Sequence, residues 1–493
     1  MTKIYKPEHL TNDTYRCEYL VIGSGAGGSV AALELAAAGK DVMIIEEGQY
    51  HKTSTFSNKI SDMMKKTWRN HGVTPFWGIP PIGFAEGKCL GGSTVINGGL
   101  LWRTPRRILN IWEREYGLSG YSEDNLLLHF EKVEELLNVG FHREDKQNRD
   151  SEMLKIGCDS LSWKYLSVPR AGGGNCINSN LCPTGCPSGA KQSTALTYLP
   201  AAVKLGARIF TSSKAILIKD GGETSHIIKV QNQLNNNISN IKSDYVFLSG
   251  GAIQTPFLLQ RSKIKTDAGK KLEFHFNLKF VAEFDRKIEA QKGTIFTIQV
   301  QEYMDQGLLI MASNYQPHYL AMTLEHFGNN TINDVMERYE YCGLFVAQLQ
   351  AKSKGKILSI SDESPFVSYN LNISDIPSLK NAIKKTTKLL FASGAKKVFL
   401  PIRDTKPINN PGSSLEKTID NLNPRKLEIV SVHAMASCSM GGEPESITDL
   451  NGKVNGLKNI YVTDASVLPS NIGESPQGTI MAMSHEILSR HLN

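Results

Sequence analysis

The stretch from Glu18 to Gly48, EYLVIGSGAGGSVAALELAAAGKDVMIIEEG, constrains the fold more than any other part of the chain. Tyr19 to Ile22 is a short apolar run that enters Gly23-x-Gly25-x-x-Gly28. Ala31 to Ala38 continues as strong helix formers, Gly39 closes the helix, and DVMIIE reads as a buried parallel strand. Gly23 allows a tight turn, Gly25 lets the backbone approach a pyrophosphate, and Gly28 lets helix and strand pack closely. The helix N-terminus, from Ala26, is then aimed at the anion. Glu46 ends the second strand, where a carboxylate suits the two hydroxyls of an adenosine ribose and disfavours a 2′-phosphate. The motif predicts a dinucleotide, FAD or NAD rather than NADP.

With 493 residues the chain exceeds one ordinary core, so two domains are expected. No run approaches eighteen uninterrupted apolar residues, which predicts no membrane span. The first twenty residues lack the apolar core of a secretory signal, so a cytoplasmic location is expected. The net charge of +7 is scattered; its densest patch, KNAIKKTTK from Lys380, reads as a solvated helix face, and no nucleic-acid partner is expected. Eight cysteines in a chain this long do not form a disulfide framework.

A second glycine cluster, GKCLGGSTVINGGLLWRTP from Gly87 to Pro105, tips the choice to FAD. It has no task in a plain NAD enzyme, whereas backbone running along an isoalloxazine ring needs it. Here the chain resembles the glucose-methanol-choline (GMC) flavoprotein oxidoreductases. Gly87, Leu90, Gly91, Gly92, Ser93, Thr94, Asn97 and Gly98 match their loop, and Gly99 follows. By that likeness Asn97 and Gly98 lie beside the reactive face of the flavin. SDYVFLSGGAIQTPFLLQRS resembles the family's second signature, and VNGLKNIYVTDASVLPS its closing strand, with Asp464 and Ala465 at the flavin. Thr479 falls in the P-x-x-T run that follows and is expected at the cofactor too.

The resemblance implies an α/β (α+β) architecture. One part is a Rossmann-like FAD-binding domain, a parallel sheet plus an antiparallel meander, from residues 1–110, 191–275 and 427–493. The other, 111–190 and 276–426, is a substrate domain on a mainly antiparallel sheet. ARIFTSSKAILIKD, HIIKVQNQL and DYVFLSG are expected to form the meander. Substrate contacts are expected from loops within residues 107–170 and 279–353. No histidine lies in the flavin loop itself (His71 precedes it), so non-covalent FAD is expected.

His433 sits in SVHAMASCSMGG, which resembles the family motif whose histidine lies over the flavin; Cys438, Met440 and Gly441 fit it. A core histidine, or a metal ligand with Cys438, are the competing readings of the residues alone. The resemblance implies instead a base that takes the hydroxyl proton while hydride passes to flavin N5. A neutral imidazole suits that task. The position that usually carries a second His or Asn is Ser475, which offers the substrate oxygen one hydroxyl hydrogen bond. Asn471 is a candidate to reach in from the preceding loop.

The resemblance implies oxidation of a CH–OH group of an alcohol, sugar or aminosugar-like polyol to a carbonyl, with electrons passed to an acceptor. An oxygen-reducing oxidase producing hydrogen peroxide is the alternative, and a lyase a more distant one. Cys176, Cys182 and Cys186 resemble an arrangement that holds an iron–sulfur cluster in some GMC dehydrogenases. A disulfide, a zinc site and plain thiols are the other readings, and no metal is assigned. The partners expected are a small-molecule alcohol and an unidentified electron acceptor.

Overall fold

The computed structural model describes residues 8–493 apart from 12, 223, 314 and 315. Residues 1–7, part of the stretch from which the lack of a secretory signal is read, lie outside the described residues.

The first sheet is built on Thr14–Ile22. Val42–Ile45 pairs with it in parallel on one side, and Arg208–Phe210 continues beyond. Ile238–Leu248 pairs with it in parallel on the other side, and Ile460–Val462 lines up with the end of that strand. The four residues VMII are all buried, as a strand covered on both faces requires. Ser213–Asp220, His226–Asn232 and Ile238–Leu248 form the antiparallel meander.

Two details differ from the sequence reading. Arg208–Phe210 belongs to the parallel part rather than to the meander. Ile238–Leu248 also begins before the expected DYVFLSG, because one strand does two jobs. Its first half alternates, burying Ser239, Ile241 and Ser243 in the meander, and its last residues are an uninterrupted buried run in the parallel sheet.

The second sheet has ten strands and is mainly antiparallel. Its axis is Glu273–Phe284, which pairs along most of its length with Cys342–Gln350. Its other edge meets Ala395–Phe399, Ile429–Ser431 and Ala434–Met435 in turn. Along the axis Phe274, Phe276, Leu278 and Phe280 are buried in one core with Leu379, Ile383 and Leu390 of the helix Asp375–Ala392. His275, Asn277 and Lys279 alternate with them and point to the opposite face. The lysines of KNAIKKTTK stay on the outer side of that helix.

The unit boundaries at 110, 190, 275 and 426 remain a proposal. Strands from both proposed units share the second sheet, since Ile429–Ser431 pairs with Ile82–Phe84 on one side and with Asn277 and Leu278 on the other.

The helix Ala26–Ala37 lies between the first sheet and the closing helix Gln477–Leu492. Gly27 sets that distance: an added Cβ would come within 1.4 Å of the Thr463 carbonyl oxygen and 2.8 Å of Ser484 Oγ. We expect Gly27→Ala to lose at least ~1–3 kcal/mol of stability, the usual cost of overpacking. Urea unfolding checks this; an unchanged midpoint would contradict the packing argument.

Candidate active site

A cavity of about 410 Å³ runs from the Gly23–Gly27 turn past the second glycine loop to His433 and Ser475. It joins both sheets, so its two ends have different chemistry.

At the first end the two glycine loops touch. A Cβ on Gly92 would lie 3.0 Å from Gly25 Cα. Ser24 joins them: its Oγ donates to Glu46 Oε2 at 2.6 Å and accepts from the Gly91 N–H at 2.9 Å. Glu46 also accepts from the N–H of Ser24 at 3.1 Å and of Gly48 at 2.8 Å. Burial pushes its pKa upward while these donors oppose the shift. Its carboxylate still borders the cavity, with acceptor capacity left for a ribose hydroxyl.

The fit to a dinucleotide rests on Gly25. Its φ of −67° suits any residue, and no atom lies within 4 Å of where a Cβ would project. The chain itself does not explain the glycine, whereas a phosphate group entering that space does. The 12-residue helix that starts at Ala26 has no side-chain cap, so its first N–H groups are free for an anion.

At the other end the wall comes from strands. His433 Nδ1 lies 3.0 Å from His275 Nδ1, and the Gly473 N–H donates to His275 Nε2 at 3.1 Å. A backbone N–H only donates, so neutral His275 carries its proton on Nδ1 and donates it to His433. Neutral His433 then carries its own proton on Nε2, the nitrogen left for the cavity. Burial lowers the His433 pKa to about 4. His275 is pushed well below its ordinary value by burial, then by His433 and Arg107. Both rings are neutral at pH 7. Close by, Glu474 Oε1 accepts from Gln299 Nε2 at 2.7 Å, and burial raises that carboxyl to about 7.

The structure brings most of the expected residues to this cavity: Gly23, Gly25, Ala26, Glu46, Gly92, Ser93, Asn97, Gly98, Asp464, Ala465, His433 and Ser475 all line it. Asn97 Nδ2 donates to Gln477 Oε1 at 2.5 Å, and its Oδ1 accepts from the Gly99 N–H at 3.0 Å. Gly28, Gly91 and Gly99 stand behind the lining and shape the turns. Thr479 does not reach the cavity. It is fully buried, with its hydroxyl 2.8 Å from that of Thr104, so Pro476, Gln477 and Ile480 take the helix's place on the wall. The Asp464 carboxylate accepts from Gly251 N–H and Thr255 Oγ1, and from the N–H and Oγ of Ser466, so its oxygens serve the chain. Asn471 is held by Glu273 and Ala351 and does not line the cavity. His71 is exposed, with its ring on the Lys65 carbonyl.

Residues 107–170 supply no lining residue, whereas 279–353 supplies Lys279, Met311, Val346 and Gln348 from strands and Ile295, Phe296 and Ser313 from loops. His275 and Asn277 are the residues that sequence reasoning missed, whereas Lys279 and Gln348 fall within the expected 279–353 but on strands. The signal was present in EFHFNLKF, where large apolar residues alternate with polar ones.

Cys176, Cys182 and Cys186 are all free thiols. Among the described residues no group of three or more His, Cys, Asp or Glu side chains is placed to hold a metal. Cys182 is buried 3.6 Å from Thr294 Oγ1, whereas Cys186 Sγ accepts from the Lys191 N–H at 3.5 Å. Lys191 ties this loop to the second glycine loop. Its buried ammonium donates to the carbonyls of Val95 at 2.7 Å, Asn97 at 2.7 Å and Cys182 at 2.8 Å. Burial lowers its pKa to about 8. Each bond to a charged donor contributes about 1.5–3 kcal/mol, so Lys191→Met is expected to lose ~3 kcal/mol or more in denaturant unfolding. A loss under about 1 kcal/mol would contradict this role.

Comparison with known proteins agrees with this arrangement. A family model described as GMC oxidoreductase matches residues 17–277, and a second of the same description matches residues 353–484. An uncharacterised GMC-type oxidoreductase of Sinorhizobium fredii is 30% identical over 96% of this chain and 94% of its own length. A long-chain-alcohol oxidase of Arabidopsis thaliana is 26% identical over 96% of this chain and 68% of its own. In fold, the chain is similar to pyridoxine 4-oxidase from Mesorbium loti, with a TM-score of 0.74, 14% identity, and 96% and 99% of the two chains covered. It is equally similar to formate oxidase of Aspergillus oryzae, with a TM-score of 0.75, 14% identity, and 98% and 99% covered. The chain belongs to the GMC oxidoreductase family, whose members are FAD-dependent enzymes acting on CH–OH donors.

Proposed function

We propose that this enzyme oxidises the CH–OH group of a small alcohol to a carbonyl and passes the electrons to dioxygen, giving hydrogen peroxide. The observation that carries the reading is the placement of His433 and Ser475 on the wall of the cavity that Gly25, Asn97 and Gly98 also line. When bound, FAD supplies the acceptor for the hydrogen and the electron pair leaving the carbinol carbon. The chain's own groups then have three tasks: to hold the cofactor, to orient the hydroxyl and to take its proton.

His433 is the proton acceptor in this reading. At rest its Nε2 already carries a proton, so the pair must change tautomer before it can accept another. The Nδ1 proton of His275 passes to His433 Nδ1, the Nε2 proton of His433 leaves to solvent and His275 Nε2 takes one up from solvent, so that His275 Nε2 gives up its bond from the Gly473 N–H. An unmade buried hydrogen bond costs ~1–3 kcal/mol. A substrate hydroxyl donating to the freed Nε2 offsets that cost, so the substrate itself selects the base form. A positioned base accelerates a step by ~10²–10⁴, which exceeds the penalty. Ser475 adds one neutral hydrogen bond.

The preference for dioxygen is supported by the alcohol oxidases among the relatives. A sugar substrate and an acceptor other than dioxygen would follow from the cysteine resemblance, but among the described residues the three thiols do not converge. The cytoplasmic location belongs to the same reading; among the described residues no helix is long and apolar enough to cross a membrane.

Two experiments test this. Mixed with alcohols without oxygen, the holoenzyme should lose its flavin absorbance and regain it quickly in air. Absence of bleaching with every alcohol would overturn CH–OH oxidation, and slow recovery in air would overturn dioxygen as acceptor. His433→Ala should slow flavin reduction ~10²–10⁴-fold while retaining FAD, and Ser475→Ala about tenfold. Because burial lowers the His433 pKa to about 4, the ring is neutral above that value and protonated below it. The fall in rate that His433→Ala abolishes should therefore come as pH drops through about 4. A His433-dependent step near 6.5 would contradict the burial argument.

A further inference from the structure

Lys279 is a charged group of the cavity wall that the proposed reaction does not use. It lies on Glu273–Phe284, two residues beyond Asn277 and four beyond His275, so all three side chains share one face. Its partner across the ladder is Val346, which lines the cavity too. No carboxylate pairs with Lys279 among the described residues, although the side chain borders the cavity. Burial alone lowers its ammonium to about 8; no neighbouring charge contributes to that shift. Lys279 is partly buried, and charges held away from bulk water are normally paired. Beside it, Asn277 is 6% exposed and lines the same cavity, and its Nδ2 has no hydrogen-bond partner among the described residues. Two donors on one strand face thus border the cavity, and no described residue receives them.

We infer that Lys279 and Asn277 form a subsite for a carboxylate at the far end of the alcohol substrate, so that the enzyme's substrates are hydroxy acids. The inference rests on the proposed CH–OH oxidation and specifies which alcohol enters. Four residues of strand span about 13 Å, so Lys279 reads a group remote from the carbinol that His433 handles. One ammonium and one amide match the single charge and two acceptor oxygens of a carboxylate; a doubly charged phosphate would need further cations. Within the cavity the anion restores the partner that Lys279 lacks and accepts the idle Asn277 donor. The lining also includes Met311, Val346 and Phe296, which suit a short apolar spacer. A long-chain alcohol with an apolar terminus would cover the ammonium without pairing it, at a cost in affinity.

The test uses non-reacting probes on the holoenzyme. Hexanoate and its neutral isostere hexanamide are titrated while the flavin absorbance is followed. Hexanoate should bind at least tenfold tighter, the usual advantage of a hydrogen bond to a charged partner. Lys279→Met should remove the difference, and Lys279→Arg should retain it. Equal binding of acid and amide in the wild type overturns the subsite, as does a hexanoate preference that survives Lys279→Met. Should Lys279→Met fail to fold or to hold FAD, the wild-type acid-to-amide ratio decides alone. That ratio involves no turnover, so it stays readable if CH–OH oxidation itself proves wrong.

Discussion

The reacting end of this enzyme depends on one strand, Glu273–Phe284. Its two faces serve opposed needs. One face puts Phe274, Phe276, Leu278 and Phe280 into the core of the second sheet, each contributing about 1.5–3 kcal/mol by burial. The other face carries His275, Asn277 and Lys279, polar groups that burial penalises unless something bonds to them. The apolar face thus holds polar side chains where they would not stay on their own. His275 resolves its penalty through Gly473 and His433, whereas Asn277 and Lys279 leave theirs for a substrate to resolve.

The same strand fixes the geometry of the histidine pair. Ile429–Ser431 and Ala434–Met435 pair with it on either side of His433, so that ring is presented beside His275 by two stretches of ladder. Gly473 has a φ of +76°, a region glycine enters freely, and Arg107 Nη2 lies 2.8 Å from where its Cβ would be. Backbone conformation at one glycine therefore decides which nitrogen of His275 is bare. Through the bond to His433, it decides the proton's position on the ring that meets substrate.

Much of the nucleotide half was legible in the chain. A strand, a glycine turn and a helix depend on local residues; Gly23, Gly27 and Gly28 each have a backbone reason to be there, and Gly25 leaves the space a phosphate would enter. Burial of a whole apolar run, as in VMII, is equally local. The substrate wall was less legible, because its residues acquire meaning only from what the sheet sets opposite them. His275 reads as one more polar residue until Gly473 and His433, both more than 150 positions away, come within hydrogen-bond distance. Thr479 failed for a related reason: its place in a motif did not reveal that helix packing turns its hydroxyl toward Thr104. The cysteines of the Cys176–Cys186 loop are close in sequence but directed to different neighbours, since that loop is organised by Lys191 instead.

Everything at the reacting end turns on a partly buried, neutral His433 held by His275 with its proton on Nε2. The direct measurement is nitrogen-15 NMR of the holoenzyme labelled at histidine, without substrate at pH 6, with both rings assigned by difference spectra of His275→Gln and His433→Gln. The account predicts a bare Nδ1 and a protonated Nε2 for His433, and the reverse for His275. A doubly protonated His433 at that pH, or a proton on its Nδ1, would contradict it.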